Sequence, residues 1–299
     1  MIHSREVSYF NMEYLREHIS IDNALSKCLL HRFPREVVER VTEMYCLGHD
    51  EHLLHFEHTW FPTIDSLGRC HNIKVQGYCT NPDVPQFAHS VKGQTMWLAA
   101  YLQKRGLLDK EAVYGTGGLF QPWPPSRPPQ RGEAHLRTGV SEMYNEKMNS
   151  YPTSTTSNGQ TNSSPTSTMS NGLTSTSISS TTSSGLTSTS PLGEAGVGRF
   201  ILVESPKNAV VGACWTMTYR PELNVTWVAV GNKGMLKRSV LEPLRGKRVI
   251  VIPDRDAIDE WKTKLAAMRD LATFVFSSFC DCDVDQENGK LDIADLMLK

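Results

Sequence analysis

The chain has 299 residues, 39% of them hydrophobic, and a formal net charge of −1. That length carries one or two domains with real cores, and the balanced charge excludes a globally basic nucleic-acid or membrane binder while leaving local patches open. The seven cysteines are read as reduced thiols: the start "MIHSREVSYFNMEYLREH" lacks an apolar signal region, no run approaches the roughly 18 apolar residues of a membrane span, and a cytoplasmic protein without a membrane partner is expected.

In chain order, "IDNALSKCLLHRF" and "PREVVERVTEMYCLG" space apolar residues for two helices, the second opened by Pro34 and closed by Gly48. "HTWFPTID" and "GRCHNIKVQGYC" read as a strand pair leaving through the turn "NPD", and "QTMWLAAYLQKRGLL" as an amphipathic helix. A small α+β domain is thus expected over 1–122. A Pro-rich run follows, then a stretch with no charged residue between Lys147 and Glu194, in which related Ser/Thr-rich units begin at Ser157, Ser170 and Ser183. Such units hold too little apolar surface to offset the entropy of ordering, so 123–196 is expected to be a disordered linker.

From 197 to 299 the pattern alternates. "RFILV" is a strand, Ser205 caps a helix with Pro206 at its first position, and "NVTWVAV", "KRVIVIP" and "ATFVFSS" are strands separated by helices in "MLKRSVLEPLRG" and "AIDEWKTKLAAM". Apolar strands alternating with helices imply an α/β domain, a parallel sheet covered on both faces.

Three acids follow strand ends. Glu204 comes directly after the first, Asp254 and Asp256 after the third. The crevice of an open α/β sheet lies beyond the carboxyl ends of its strands. In an extended segment, D-x-D would aim both aspartates at one spot and Arg255 elsewhere. Hard oxygen donors without His or Cys suit Mg²⁺ or Mn²⁺ rather than Zn²⁺, and the chain has no C-x-x-C spacing for zinc. A helix N-cap is the competing role, above all for Asp256 ahead of "AIDEW".

The residues "ILVESPKNAVVGA", "WVAVGNKG", "VIVIPDRDAIDEW" and "LDIADLMLK" together resemble a Toprim domain, the fold of topoisomerases, bacterial primases and some nucleases. "DNALSKCLLHRFPREVVERVTEMYCLG" with "TWFPTIDSLGRCHNIKV" resembles the segment before Toprim in primase-like proteins of bacterial mobile elements and commensal bacteria. The resemblance implies a catalytic, Mg²⁺-binding triad of Glu204, Asp254 and Asp256, with Asp292 and Asp295 of the "D-x-A-D" ending adding charge to the metal. It also implies DNA or RNA and nucleotides as partners, with a replicative helicase in trans.

Lys207, in the first helical turn after Glu204, is a candidate phosphate contact. Between 233 and 248, Lys233, Lys237, Arg238, Arg245, Lys247 and Arg248 face one acid, Glu242, a local surplus suited to tracking a phosphate backbone. The acidic run 281–292 has Gln286 where a calcium loop needs glycine. His49, His52, His55 and His58 recur every third residue, a spacing that drifts around a helix rather than gathering ligands. The expected function is primase-like nucleotidyl transfer. A Toprim nuclease using the same acids, or a non-catalytic DNA-binding replication adaptor, are the alternatives.

Overall fold

The computed structural model describes residues 7–78, 90–115, 118–123, 199–277 and 292–298, with side chains from 95 onward in the second of these stretches. The "NPD" turn, the Ser/Thr-rich stretch and the acidic run 281–291 lie outside them.

In the C-terminal part, strands β6 (Arg199–Val203), β7 (Val225–Ala229), β8 (Arg248–Ile252) and β9 (Thr273–Phe276) form one parallel sheet in the order β7-β6-β8-β9. Strand alternation sends Ile201 and Val203 into one apolar cluster, and Leu202 with Val249 and Val251 into another on the opposite face, so both faces are covered as the apolar runs require. The helix after β6, α5 (Pro206–Tyr219), begins with Ser205 accepting from the Asn208 amide and Pro206 at the first position. The segment "MLKRSVLEPLRG" yields only a short α6 (Arg238–Leu241) running into a 3-10 turn over Glu242–Leu244, because Pro243 has no amide to continue an α-helical ladder. Helix α7 (Ile258–Ala266) packs Trp261 and Leu265 onto the second face.

The N-terminal part adds β1 (Val7–Ser8), α1 (Met12–Glu17), α2 (Ala24–Leu29), α3 (Arg35–Met44), and an antiparallel sheet of β2 (His58–Ile64), β3 (Cys70–Tyr78) and β4 (Ser90–Trp97). Then come α4 (Leu98–Lys104) and β5 (Val113–Tyr114), which pairs with β1. Two expectations change here. The helix foreseen from Gln94 begins only at Leu98, since Thr95, Met96 and Trp97 pair with Gln76, Val75 and Lys74 as the end of β4; sheet pairing overrides local propensity. Gly48 does not close α3. The left-handed residue is Cys46, and Gly48 instead lets the backbone of His18 approach where a Cβ would overlap it.

The two parts share a core. Leu25, Leu29, Val38, Tyr45 and Phe61 belong to the same apolar cluster as Ile201, Val210, Cys214, Trp227 and Ala229. The join follows the free edge of β7. There Ala229 exchanges both backbone hydrogen bonds with Phe120 at 2.8 Å, and the Tyr45 hydroxyl donates to the Trp227 carbonyl at 2.7 Å. An uncovered edge would leave those groups unpaired. Tyr45→Phe should lower stability by about 1–2 kcal/mol by stranding a buried carbonyl; a urea titration that matches wild type would refute that role.

Candidate acidic site at the sheet switch point

The chain leaves β6 through α5 to one neighbour, β7, and later returns to the other, β8. The gap beyond the carboxyl ends of β6 and β8 is therefore the topological switch point of the sheet. Val203 pairs with Ile252, which puts Glu204 and Asp254 at that gap from the two adjoining strands.

Both carboxyls are partly buried. Glu204 Oε1 accepts from the Lys233 amide at 2.9 Å, while Oε2 is buried with no hydrogen-bond partner. Asp254 Oδ1 accepts from the side-chain amide of Asn208 at 3.2 Å, and Asn208 Oδ1 is itself buried and unpartnered. Burial, followed by the charges of Glu204 and Asp292, pushes the Asp254 carboxyl up to about 7. Burial and the charge of Asp256 also raise Glu204, against the Lys233 amide and the cations of Lys233 and Lys74. Burial is thus the first reason that both adjoining carboxyls resist ionisation, and the neighbouring acids add to it.

Asp256 departs from the expected arrangement. Asp254 is extended, but Arg255–Ala257 form a 3-10 turn, so the alternation that would aim both aspartates together ends after the first. The Asp256 side chain is 77% exposed, 3.4 Å from Lys233 Nζ, which also donates to the Asp256 carbonyl at 2.6 Å. Among the described residues, no group of three or more His, Cys, Asp and Glu is placed to hold a metal; the acids brought together from adjoining strands are Glu204 and Asp254. Neither aspartate serves as a helix cap: no side-chain cap hydrogen bond is made at Asp254 or at the start of α7.

Capping does describe Asp292. In α8 (Ile293–Met297) it accepts from the Asp295 amide, and Asp295 returns the bond to the Asp292 amide. Their remaining oxygens lie 2.8 Å and 3.7 Å from Lys207 Nζ, whose side chain is only 7% exposed. Lys207 is thus spent on holding α8 against α5 rather than displayed to a phosphate, and Asp292 reaches the site as charge felt by Asp254.

The basic surplus after Gly231 also shrinks in three dimensions. Lys233 meets Asp256 and Glu260, Arg238 forms a two-pronged pair with Asp270, and Arg245 pairs with Glu242. Asp256, Glu260 and Asp270 come from later in the chain, which a count over 233–248 leaves out. Lys237 is exposed and makes no ion pair among the described residues.

Sequence reasoning missed two members of the site. Asn208 is fully buried in the first turn of α5; a polar residue of low helix propensity between Lys207 and Ala209 is its one local signal. Lys74 arrives from β3, its Nζ 3.0 Å from the Gly231 carbonyl, within the field of both Glu204 and Asp254. No local signal marks it, since its strand position gives no hint of a neighbour so distant in sequence. With all ionised, the carboxylates of Glu204, Asp254, Asp256, Asp292 and Asp295 outnumber the ammonium groups of Lys74, Lys207 and Lys233 by two.

A family model described as a domain of unknown function (DUF6371) matches residues 143–255, which take in β6, α5, β7, β8 and both Glu204 and Asp254. Neither the curated proteins nor the solved structures contain a match to the chain. No helix among the described residues is long and apolar enough to cross a membrane.

Proposed function

We propose that the chain is a Mg²⁺- or Mn²⁺-dependent enzyme of phosphodiester bonds, of the Toprim type, carrying out primase-like nucleotidyl transfer on DNA or RNA. The observation that supports this is the unpartnered, buried Glu204 Oε2 beside an Asp254 that resists ionisation, at the switch point of a parallel sheet. Hard oxygen donors with surplus negative charge fit a magnesium-like ion, which commonly takes one or two carboxylates and fills its other positions with water and substrate phosphate. Glu204 and Asp254 would hold it, with Asp256 contributing charge from the rim. When bound, such an ion stabilises charge on a transferring phosphorus and readies an attacking oxygen.

The surrounding residues keep those two carboxyls in place. Asn208 fixes one Asp254 oxygen and leaves the other without a protein donor among the described residues. The Lys233 amide fixes Glu204 Oε1, and the Gly231 amide donates to the Glu204 carbonyl at 2.9 Å, so the loop after β7 is tied to the end of β6. Gly231 has φ of +100°, a conformation that favours glycine and lets the loop turn back over the site.

Incubation with single-stranded DNA, labelled nucleotides and Mg²⁺ tests this reading. Extension products are expected, and Glu204→Gln should reduce them by at least about 100-fold, the upper end of what losing a mere outer-shell partner costs. Shortened strands would replace synthesis by hydrolysis with the same acids. Salt-sensitive DNA binding with no turnover, unchanged by a chelator, would reject the enzyme in favour of an adaptor.

A further inference from the structure

Lys74 belongs to the N-terminal sheet and faces the acidic site of the C-terminal one. On β3 it pairs with Phe61 and Trp97. Its side chain lies on the opposite side of the strand from Ile73 and Val75, which are in the N-terminal core, and on the side of Phe61, which is in the shared core. An ammonium carries three donors. One reaches the Gly231 carbonyl at 3.0 Å, and the described residues offer no partner for the other two. Among those residues Lys74 makes no ion pair with Glu204 or Asp254, although it feels both; burial depresses its proton affinity while the two acids restore part of it. A partly buried ammonium with one neutral acceptor is costly. Lys207, by contrast, has two carboxylates as ion-pair partners, Asp292 at 2.8 Å and Asp295 at 3.7 Å.

We infer that Lys74 is a substrate ligand: its two unpartnered N–H donors take a non-bridging phosphate oxygen of a nucleotide or nucleic acid lying between the N-terminal sheet and the Glu204/Asp254 pair. This rests on the proposed phosphodiester chemistry and extends it, because the reaction centre is then completed by both parts of the chain. The chemistry suits the position. Lys74 would bring positive charge to a phosphate that the carboxylates alone would repel, and a cation held by Glu204 and Asp254 would offset their charge as well. Lysine provides a compact point charge there, with no need for a planar fork.

The test uses the full chain and inorganic pyrophosphate in Mg²⁺-saturated buffer, followed by calorimetry, with Mn²⁺ binding read separately by electron paramagnetic resonance. Lys74→Met should weaken pyrophosphate binding roughly 10- to 100-fold, the equivalent of one or two charge-assisted hydrogen bonds. Its Mn²⁺ affinity should be unchanged or tighter, because a neighbouring cation is gone, and Lys74→Arg should recover part of the loss. Equal pyrophosphate affinity in wild type and Lys74→Met overturns the inference even when Mn²⁺ still binds Glu204 and Asp254. Loss of Mn²⁺ binding together with pyrophosphate binding overturns it too, by showing that Lys74 only supports the fold. A wild type that binds pyrophosphate through Lys74 but no Mn²⁺ upholds Lys74 and sinks the divalent-ion reading. A readout without substitution is acetylation of the wild type, followed by mass spectrometry. Pyrophosphate should slow modification of Lys74 and leave the exposed Lys110 unaffected; equal rates at Lys74 with and without it reject the contact.

Discussion

Asp254→Asn is expected to make the protein more stable while removing divalent-dependent turnover. The folded-state proton affinity of Asp254 is raised from the ordinary 3.8 to about 7. Below about pH 3.8 the carboxyl is protonated in both folded and unfolded chains and contributes nothing. As pH rises from there, the unfolded chain gives up the proton while the folded one retains it, so stability falls with pH until about 7, above which the loss is complete. At about 1.4 kcal/mol per tenfold change in proton affinity, the ceiling is about 4 kcal/mol, and solvent relaxation around a partly exposed group brings the expectation to about 2 kcal/mol. The substituted amide would keep the acceptor for Asn208 and lose the charge. The variant's melting temperature should therefore exceed wild type by about 5 °C at pH 8 and match it near pH 4, at 2–4 °C per kcal/mol for a chain region of this size. Mg²⁺ should raise the wild-type melting temperature at pH 8 and leave the variant's unchanged. A variant that melts at or below wild type at pH 8 would mean that Asp254 is not held against its charge.

Gly212→Ala is the largest structural effect expected. In an isolated helix the change is favourable by about 1 kcal/mol. In α5, however, an added Cβ would overlap the six-membered ring of Trp227. That ring has little freedom to retreat: its Nε1 donates to Thr216 Oγ1 at 3.0 Å, Thr216 donates to the Gly212 carbonyl at 2.8 Å, and Trp227 is fixed in β7 beside Ile201. Overpacking of a tight core costs about 1–3 kcal/mol, and here it also pulls on the Thr216 link, so a net loss of about 2–4 kcal/mol follows. The shared core should loosen first, and a fall of roughly 5–10 °C in melting temperature is expected. A stabilised Gly212→Ala would show that α5 and β7 are not packed this closely.

These two variants separate the demands of packing from the cost of a buried acid. Gly212 serves packing: the helix gives up propensity so that Trp227 can lie flat against it. Asp254 works against stability: an acid is kept where burial and neighbouring acids oppose its ionisation. A plain surface carboxyl would show neither the raised proton affinity nor the gain on neutralisation.

Much of the C-terminal architecture was legible because its signals are local. Apolar runs in "RFILV" and "KRVIVIP" imply strands buried on both faces, Ser205 and Pro206 announce the start of α5 within three residues, and the alternation of strands with helices implies a parallel sheet. The positions of Glu204 and Asp254 after their strands were legible for the same reason. Tertiary structure alone decided what depends on groups distant in sequence. It paired Arg238 with Asp270 and Lys233 with Asp256 and Glu260, removing most of a basic surface that a local charge count had suggested. It turned the chain at Arg255 and so sent Asp256 to the rim, it buried Lys207 between Asp292 and Asp295, and it carried Lys74 from another sheet to the Gly231 loop. The physical reason is common to all of these. Periodicity and caps are set by neighbours a few residues away, whereas charge compensation is settled by whichever side chains the folded core brings within a few ångströms, and sequence separation does not limit that choice.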